Sequence, residues 1–160
     1  MRISERIDES LVVVGRSWEN FEQTVAALAE LLVRAGKLRA ELLADTVAKV
    51  CRRETEASMT MADVGLSIPH VRVEGIQGIA WALAVAAPAV FSVGVGLPIP
   101  IVALVLSSPS VTGEHLEFLS SLSLLLQSAH CRRQLLLARS SQEAVEVLRN
   151  FDHRGGPLVR

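Results

Sequence analysis

The chain has 160 residues, 50% hydrophobic and 21% charged, with a net charge of -1. This composition excludes a disordered chain, and the balance of 16 basic against 17 acidic residues excludes nucleic-acid binding by bulk electrostatics. Two cysteines, Cys51 and Cys131, give neither a disulfide framework nor metal-ligand spacing. One domain with one core is expected over residues 1–150, followed by a loose tail over 151–160 that holds Gly155, Gly156 and Pro157. Met1 to Glu9 carries no signal-peptide pattern, so a cytoplasmic protein is expected.

Leu11 to Val14, with three β-branched valines, reads as the first strand. Ser17 is placed to cap the helix that follows, whose apolar face is Phe21, Val25, Leu28, Leu31 and Leu32, with Gly36 as its stop. A second helix is expected from about Leu38 to Arg53, and a polar loop from Glu54 to Val64. Leu66 to Pro69 reads as an extended segment delivering His70, because Pro69 pushes Ile68 away from helical conformation. Val71 to Gly78 reads as a loop.

From Gly75 to Gly113 no side chain is charged. A membrane span needs about 20 apolar residues, and Pro88, Gly94, Gly96, Pro98 and Pro100 cut this run into shorter pieces, so no membrane insertion is expected. The uninterrupted apolar pieces, Ile79–Ala87 and Ile101–Leu106, suit buried strands, and three strand candidates are read at Ile79–Ala86, Ala89–Val93 and Ile99–Leu106, with Gly94 and Gly96 turning between the last two. Ser107 to Gly113 reads as a loop. A leucine-rich helix then runs to about Gln127, read as buried on most sides. A short helix over Arg132 to Ala138 follows. A capping box at Ser140 and Glu143 opens a last helix to about Asn150.

Two histidines carry the chemistry. His70 follows the extended segment, and His115 falls in the first turn of its helix, where the dipole favours an anion and a neutral imidazole. With Arg53 and Arg72 they suit a phosphoryl group: one neutral imidazole attacks phosphorus while the other histidine and an arginine hold the equatorial oxygens. The simpler alternative is that His70 is an ordinary structural histidine at a strand end. No Walker loop and no cluster of Mg²⁺-binding carboxylates is present, so no cofactor or metal is expected and phosphate must arrive on a partner protein.

Ser67-Ile68-Pro69-His70, preceded by Thr60 and Gly65, with Arg53-Glu54 upstream and Glu114-His115-Leu116 downstream, resembles the enzyme IIA domain of fructose–mannitol type in the bacterial phosphoenolpyruvate-dependent phosphotransferase system. The resemblance covers about Leu11 to Asn150. Cys131-Arg132-Arg133 and Ala138 to Glu143 look most like its nitrogen-regulatory branch. The resemblance implies a three-layer α/β/α sandwich with a mixed, mostly parallel sheet of four or five strands. It implies His70 as phosphoacceptor, His115 as phosphoryl support and Arg53 as active-site arginine, with Arg72 and Thr60 as further candidates. The implied partners are the phosphocarrier HPr or its nitrogen-branch counterpart, and then regulated proteins such as sensor kinases and potassium-handling proteins. A IIB domain of a fructose or mannitol permease is the alternative partner, and a binding-only module is a third reading. The chain departs from the family pattern at Asp63, Ser67 and Val71. A branched Val71 is expected to crowd His70 on the donor's side, and the Asp63 carboxylate to repel phosphate.

Overall fold

The computed structural model describes residues 2–153. Strand β1 (Val12–Val14) is followed by helices α1 (Phe21–Arg34) and α2 (Leu43–Glu56). Short strands β2 (Thr60–Met61), β3 (Leu66–Ser67) and β4 (His70–Arg72) come next, then β5 (Ile79–Val85), β6 (Phe91–Val93), β7 (Leu97–Ile99) and β8 (Ile101–Ser107). Helices α3 (Thr112–Gln127), α4 (Ala129–Leu137) and α5 (Ser141–His153) complete the fold.

The sheet runs β1-β5-β8-β3-β2, with β4 also against β8. It is mixed: β1–β5, β3–β8 and β4–β8 are parallel, while β5–β8 and β2–β3 are antiparallel. β5 and β8 are buried along their whole length, which is why the sequence between Gly75 and Gly113 carries no charge. Along β5 the small residues Ala80, Ala82 and Ala84 alternate with Ile79, Trp81, Leu83 and Val85. The alanine face lets α1 come close, and Trp81 on the other face meets Phe118 of α3 edge-on at 5.9 Å. Helices therefore cover both faces, giving the expected three layers.

Several boundaries differ from the sequence reading. Asn20, not Ser17, caps α1 by accepting the Gln23 N–H at 2.8 Å, and Ser17 Oγ donates to the Ala89 carbonyl. The second helix opens with a 3-10 turn at Ala40–Leu42 and runs on to Glu56, three residues into the expected loop. That loop also holds β2, and the expected Val71–Gly78 loop begins as β4. Gly94 and Gly96 turn a separate β6–β7 hairpin, and Pro100 divides β7 from β8. Helix α3 starts at Thr112, inside the expected loop, and it is not buried on most sides: Leu116 and Leu124 are 62% and 51% exposed. Helix α4 begins at Ala129 rather than Arg132. Half of the expected capping box forms: the Glu143 N–H donates to Ser140 Oγ, but the Glu143 carboxylate accepts the N–H of Arg139, one residue before Ser140. The tail expected over 151–160 begins too early. Phe151 packs against the core and Asp152 accepts the Ser4 N–H at 2.7 Å, while residues 154–160 lie outside the described residues. No helix among the described residues is long and apolar enough to cross a membrane.

Candidate functional site

β3 and β4 are one extended run interrupted at Ile68-Pro69. The register on β8 is unbroken across the gap, since Ser67 pairs with Val102 and His70 with Val105. Pro69 removes one rung only: its carbonyl accepts the Val105 N–H at 2.9 Å, but it has no N–H to return. Alternation then puts His70 and Arg72 on one face of the sheet and Val71 on the other.

Ile68 points its backbone N–H and carbonyl away from β8, towards β2. Its N–H donates to Met59 O at 3.1 Å. Its carbonyl oxygen lies 2.8 Å from His70 Nδ1. A carbonyl only accepts, so Nδ1 carries the proton and Nε2 keeps its lone pair. Burial lowers the proton affinity of His70 and the positive charge of Arg53 lowers it further, against the carbonyl bond, which raises it.

His115 stands in the first turn of α3, its ring centroid 6.0 Å from that of His70 and tilted by 55°. It is 6% exposed, and its Nδ1 is hydrogen-bonded to the buried hydroxyl of Ser107, the last residue of β8. Burial, then Arg72, His70 and Arg53, hold its proton affinity below the usual range. No side chain caps α3, so the helix N-terminus keeps its preference for an anion. Ser107 has no sequence motif of its own. The one local signal is a serine ending a seven-residue apolar strand.

Arg53, exposed near the end of α2, acts electrostatically on both histidines. Arg72 Nη2 donates to the carbonyls of Ser108 and Pro109, both at 3.1 Å, and so ties down the β8–α3 loop that leads to His115. Thr60 does not stand among the histidines' direct partners. Its hydroxyl donates to Glu54 Oε2 at 2.9 Å and meets Ser67 Oγ at 2.8 Å across the β2–β3 pair. Val71 is 1% exposed, in the core on the face opposite His70, so the expected crowding is overturned. Asp63 is exposed in the β2–β3 turn. Among the described residues no group of three or more His, Cys, Asp or Glu side chains is placed to hold a metal ion.

The sequence model of the family described as "Phosphoenolpyruvate-dependent sugar phosphotransferase system, EIIA 2" matches residues 5–151. The fructose-specific EIIABC component of the phosphotransferase system from Bacillus subtilis is 25% identical over 153 residues, 95% of this chain. The chain spans about a quarter of that relative's length, 24%. Among solved structures, the nitrogen regulatory protein IIA-Ntr from Neisseria meningitidis is 25% identical with a TM-score of 0.77, covering 91% of this chain and 98% of that one. The mannitol-specific cryptic phosphotransferase enzyme IIA from Escherichia coli shares the fold at 20% identity and a TM-score of 0.73, covering 94% and 99%. With the family's sequence model matched over nearly the whole described fold, the chain belongs to the EIIA type 2 family of the phosphoenolpyruvate-dependent sugar phosphotransferase system.

Proposed function

We propose that this protein carries a phosphoryl group on Nε2 of His70, received from phosphorylated HPr or its nitrogen-branch counterpart, and that its phosphorylation state sets which partner it binds. The observation that supports this most is the Nδ1–H bond to the Ile68 carbonyl, which leaves Nε2 as the nucleophile. The Nε2 lone pair attacks phosphorus, the N–P bond forms, and the bond from phosphorus to the donor breaks with its electron pair returning to the donor. The ring gains positive character as it does so, and the Nδ1–H bond to Ile68 strengthens with it. His115 donates to an equatorial oxygen from Nε2 when Ser107 donates to its Nδ1, and Arg53 and the open end of α3 add positive potential.

Regulated partners of the nitrogen-branch kind, such as sensor kinases and potassium-handling proteins, are the first reading, supported by the likeness to IIA-Ntr. Delivery of the phosphoryl group to a fructose- or mannitol-type IIB domain is the second. The Bacillus subtilis relative favours it, as does the fold shared with the enzyme IIA of an Escherichia coli mannitol IIA–phosphorylated IIB complex, at 16% identity and a TM-score of 0.67. The deciding experiment phosphorylates the protein with phosphorylated HPr and offers it a fructose-type IIB domain. Transfer supports the second reading; retention of the phosphoryl group, with phosphorylation-dependent capture of a kinase or potassium transporter, supports the first. Absence of acid-labile phosphate on the protein leaves only a binding module.

A further inference from the structure

The carbonyl that accepts from His70 lacks its ladder partner, which another group has taken. Met59 and Ile68 face each other one step beyond the Thr60–Ser67 pair of β2 and β3. In an antiparallel ladder such a pair exchanges two hydrogen bonds. Here only one is made, Ile68 N–H to Met59 O at 3.1 Å. The Met59 N–H turns instead to Glu54 Oε1 at 2.7 Å. The Ile68 carbonyl is thereby left to the imidazole of His70 at 2.8 Å.

Glu54 is well held for this task. Its Oε2 accepts from Ser58 Oγ at 2.6 Å and from Thr60 Oγ1 at 2.9 Å. Because the Thr60 hydroxyl donates to the carboxylate, its bond with Ser67 is made by the Ser67 proton. Ser67 is fully buried, so this chain of hydroxyls anchors the carboxylate to β3. The His70 backbone N–H also points at Met59 Sδ, at 3.4 Å, so the same residue braces the peptide on both sides of Pro69.

We infer that Glu54 is a positioning residue for the phosphoacceptor. By capturing the Met59 N–H it reserves the Ile68 carbonyl for His70 Nδ1 and fixes the tautomer whose Nε2 is the nucleophile. The functional part of this inference rests on His70 being the acceptor; the tautomer part does not.

The test measures the imidazole nitrogen chemical shifts of His70 at a pH where it is neutral, beside the rate of phosphorylation by phosphorylated HPr. In Glu54→Ala the Met59 N–H is released to close its rung on Ile68, and His70 is expected to become a mixture of tautomers with phosphorylation slowed about 10-fold or more. Glu54→Gln keeps an oxygen for Met59 N–H and is expected to restore both readings. Circular dichroism and thermal melting establish that each variant is folded. If Glu54→Ala does not fold, Glu54→Asp, which shortens the arm by one methylene, gives the same shift in smaller measure. A folded Glu54→Ala or Glu54→Asp protein with the wild-type tautomer overturns the inference. A wild-type protein that takes no phosphate while its tautomer still responds to Glu54 overturns the proposed function and leaves the positioning intact.

Discussion

His70 Nδ1 lies 2.8 Å from the carbonyl oxygen of Ile68, two residues back on the same extended run. This one contact decides which ring nitrogen carries the proton and which keeps its lone pair. It exists because Pro69 keeps the chain extended and the Ile68 carbonyl, facing away from β8, does not receive the Met59 N–H, which goes to Glu54 instead.

On the proposed mechanism, His115→Ala leaves a phosphorylatable His70 but removes a donor aimed at the transferred group. Phosphorylation is expected to slow about 100-fold, as when one preorganised donor is lost elsewhere. Rapid-quench kinetics with phosphorylated HPr measure this. An unchanged rate would show that His115 is not in contact with the phosphoryl group.

The two histidines set a pH dependence. Both have proton affinities below the unfolded value of about 6.5, so just below that pH the unfolded chain binds more protons than the folded one. Their contribution to stability is therefore full above about pH 6.5 and falls as the pH drops through the window down to the folded values. Urea midpoints are expected to be lower at about pH 5.5 than at about pH 7.5, with the difference reduced in a His70→Ala, His115→Ala double variant. Arg53→Ala takes away a positive charge from beside both rings, so proton NMR titration should show both histidines titrating at higher pH than in the wild type.

Val71→Ala separates packing from chemistry. Val71 is buried on the face of β4 opposite His70, so truncation is expected to cost about 0.5–3 kcal/mol of stability with the phosphorylation rate unchanged. A faster rate in the variant would restore the idea that a branched side chain obstructs the donor.

Gly65 has φ +68°, and a Cβ there would meet the Pro100 ring at 2.9 Å. Gly65→Ala is expected to cost about 1–2 kcal/mol for the left-handed backbone alone, with the clash added. Denaturant unfolding reads this directly, and a neutral outcome would mean that the β2–β3 turn is not held against Pro100.

What was legible in the sequence followed from local chemistry. The uncharged run declared two buried strands, the helical spacing of Val25, Leu28 and Leu32 declared α1, and the Leu66–Pro69 segment declared the delivery of His70. What was not legible depended on partners distant in the chain. β4 is a strand because β8 lies alongside it, although nothing in Val71-Arg72 distinguishes it from a loop. Val71 faces away from His70 only once that pairing fixes the alternation. Leu116 and Leu124 look like core residues on a leucine-rich helix, yet the sheet needs only the face of Phe118, Leu122 and Leu126. The His70–His115 approach rests on Ser107 and on the loop that Arg72 ties, and neither is visible from spacing.

Phosphoryl acceptance by Nε2 of His70 is read by phosphorylating the protein with phosphorylated HPr and locating the group by phosphorus NMR and imidazole nitrogen shifts, beside a His70→Ala control. One acid-labile phosphoryl group on Nε2 of His70, absent from the control, is the predicted result. No phosphoryl group on the wild-type protein, or one that survives in His70→Ala, contradicts it.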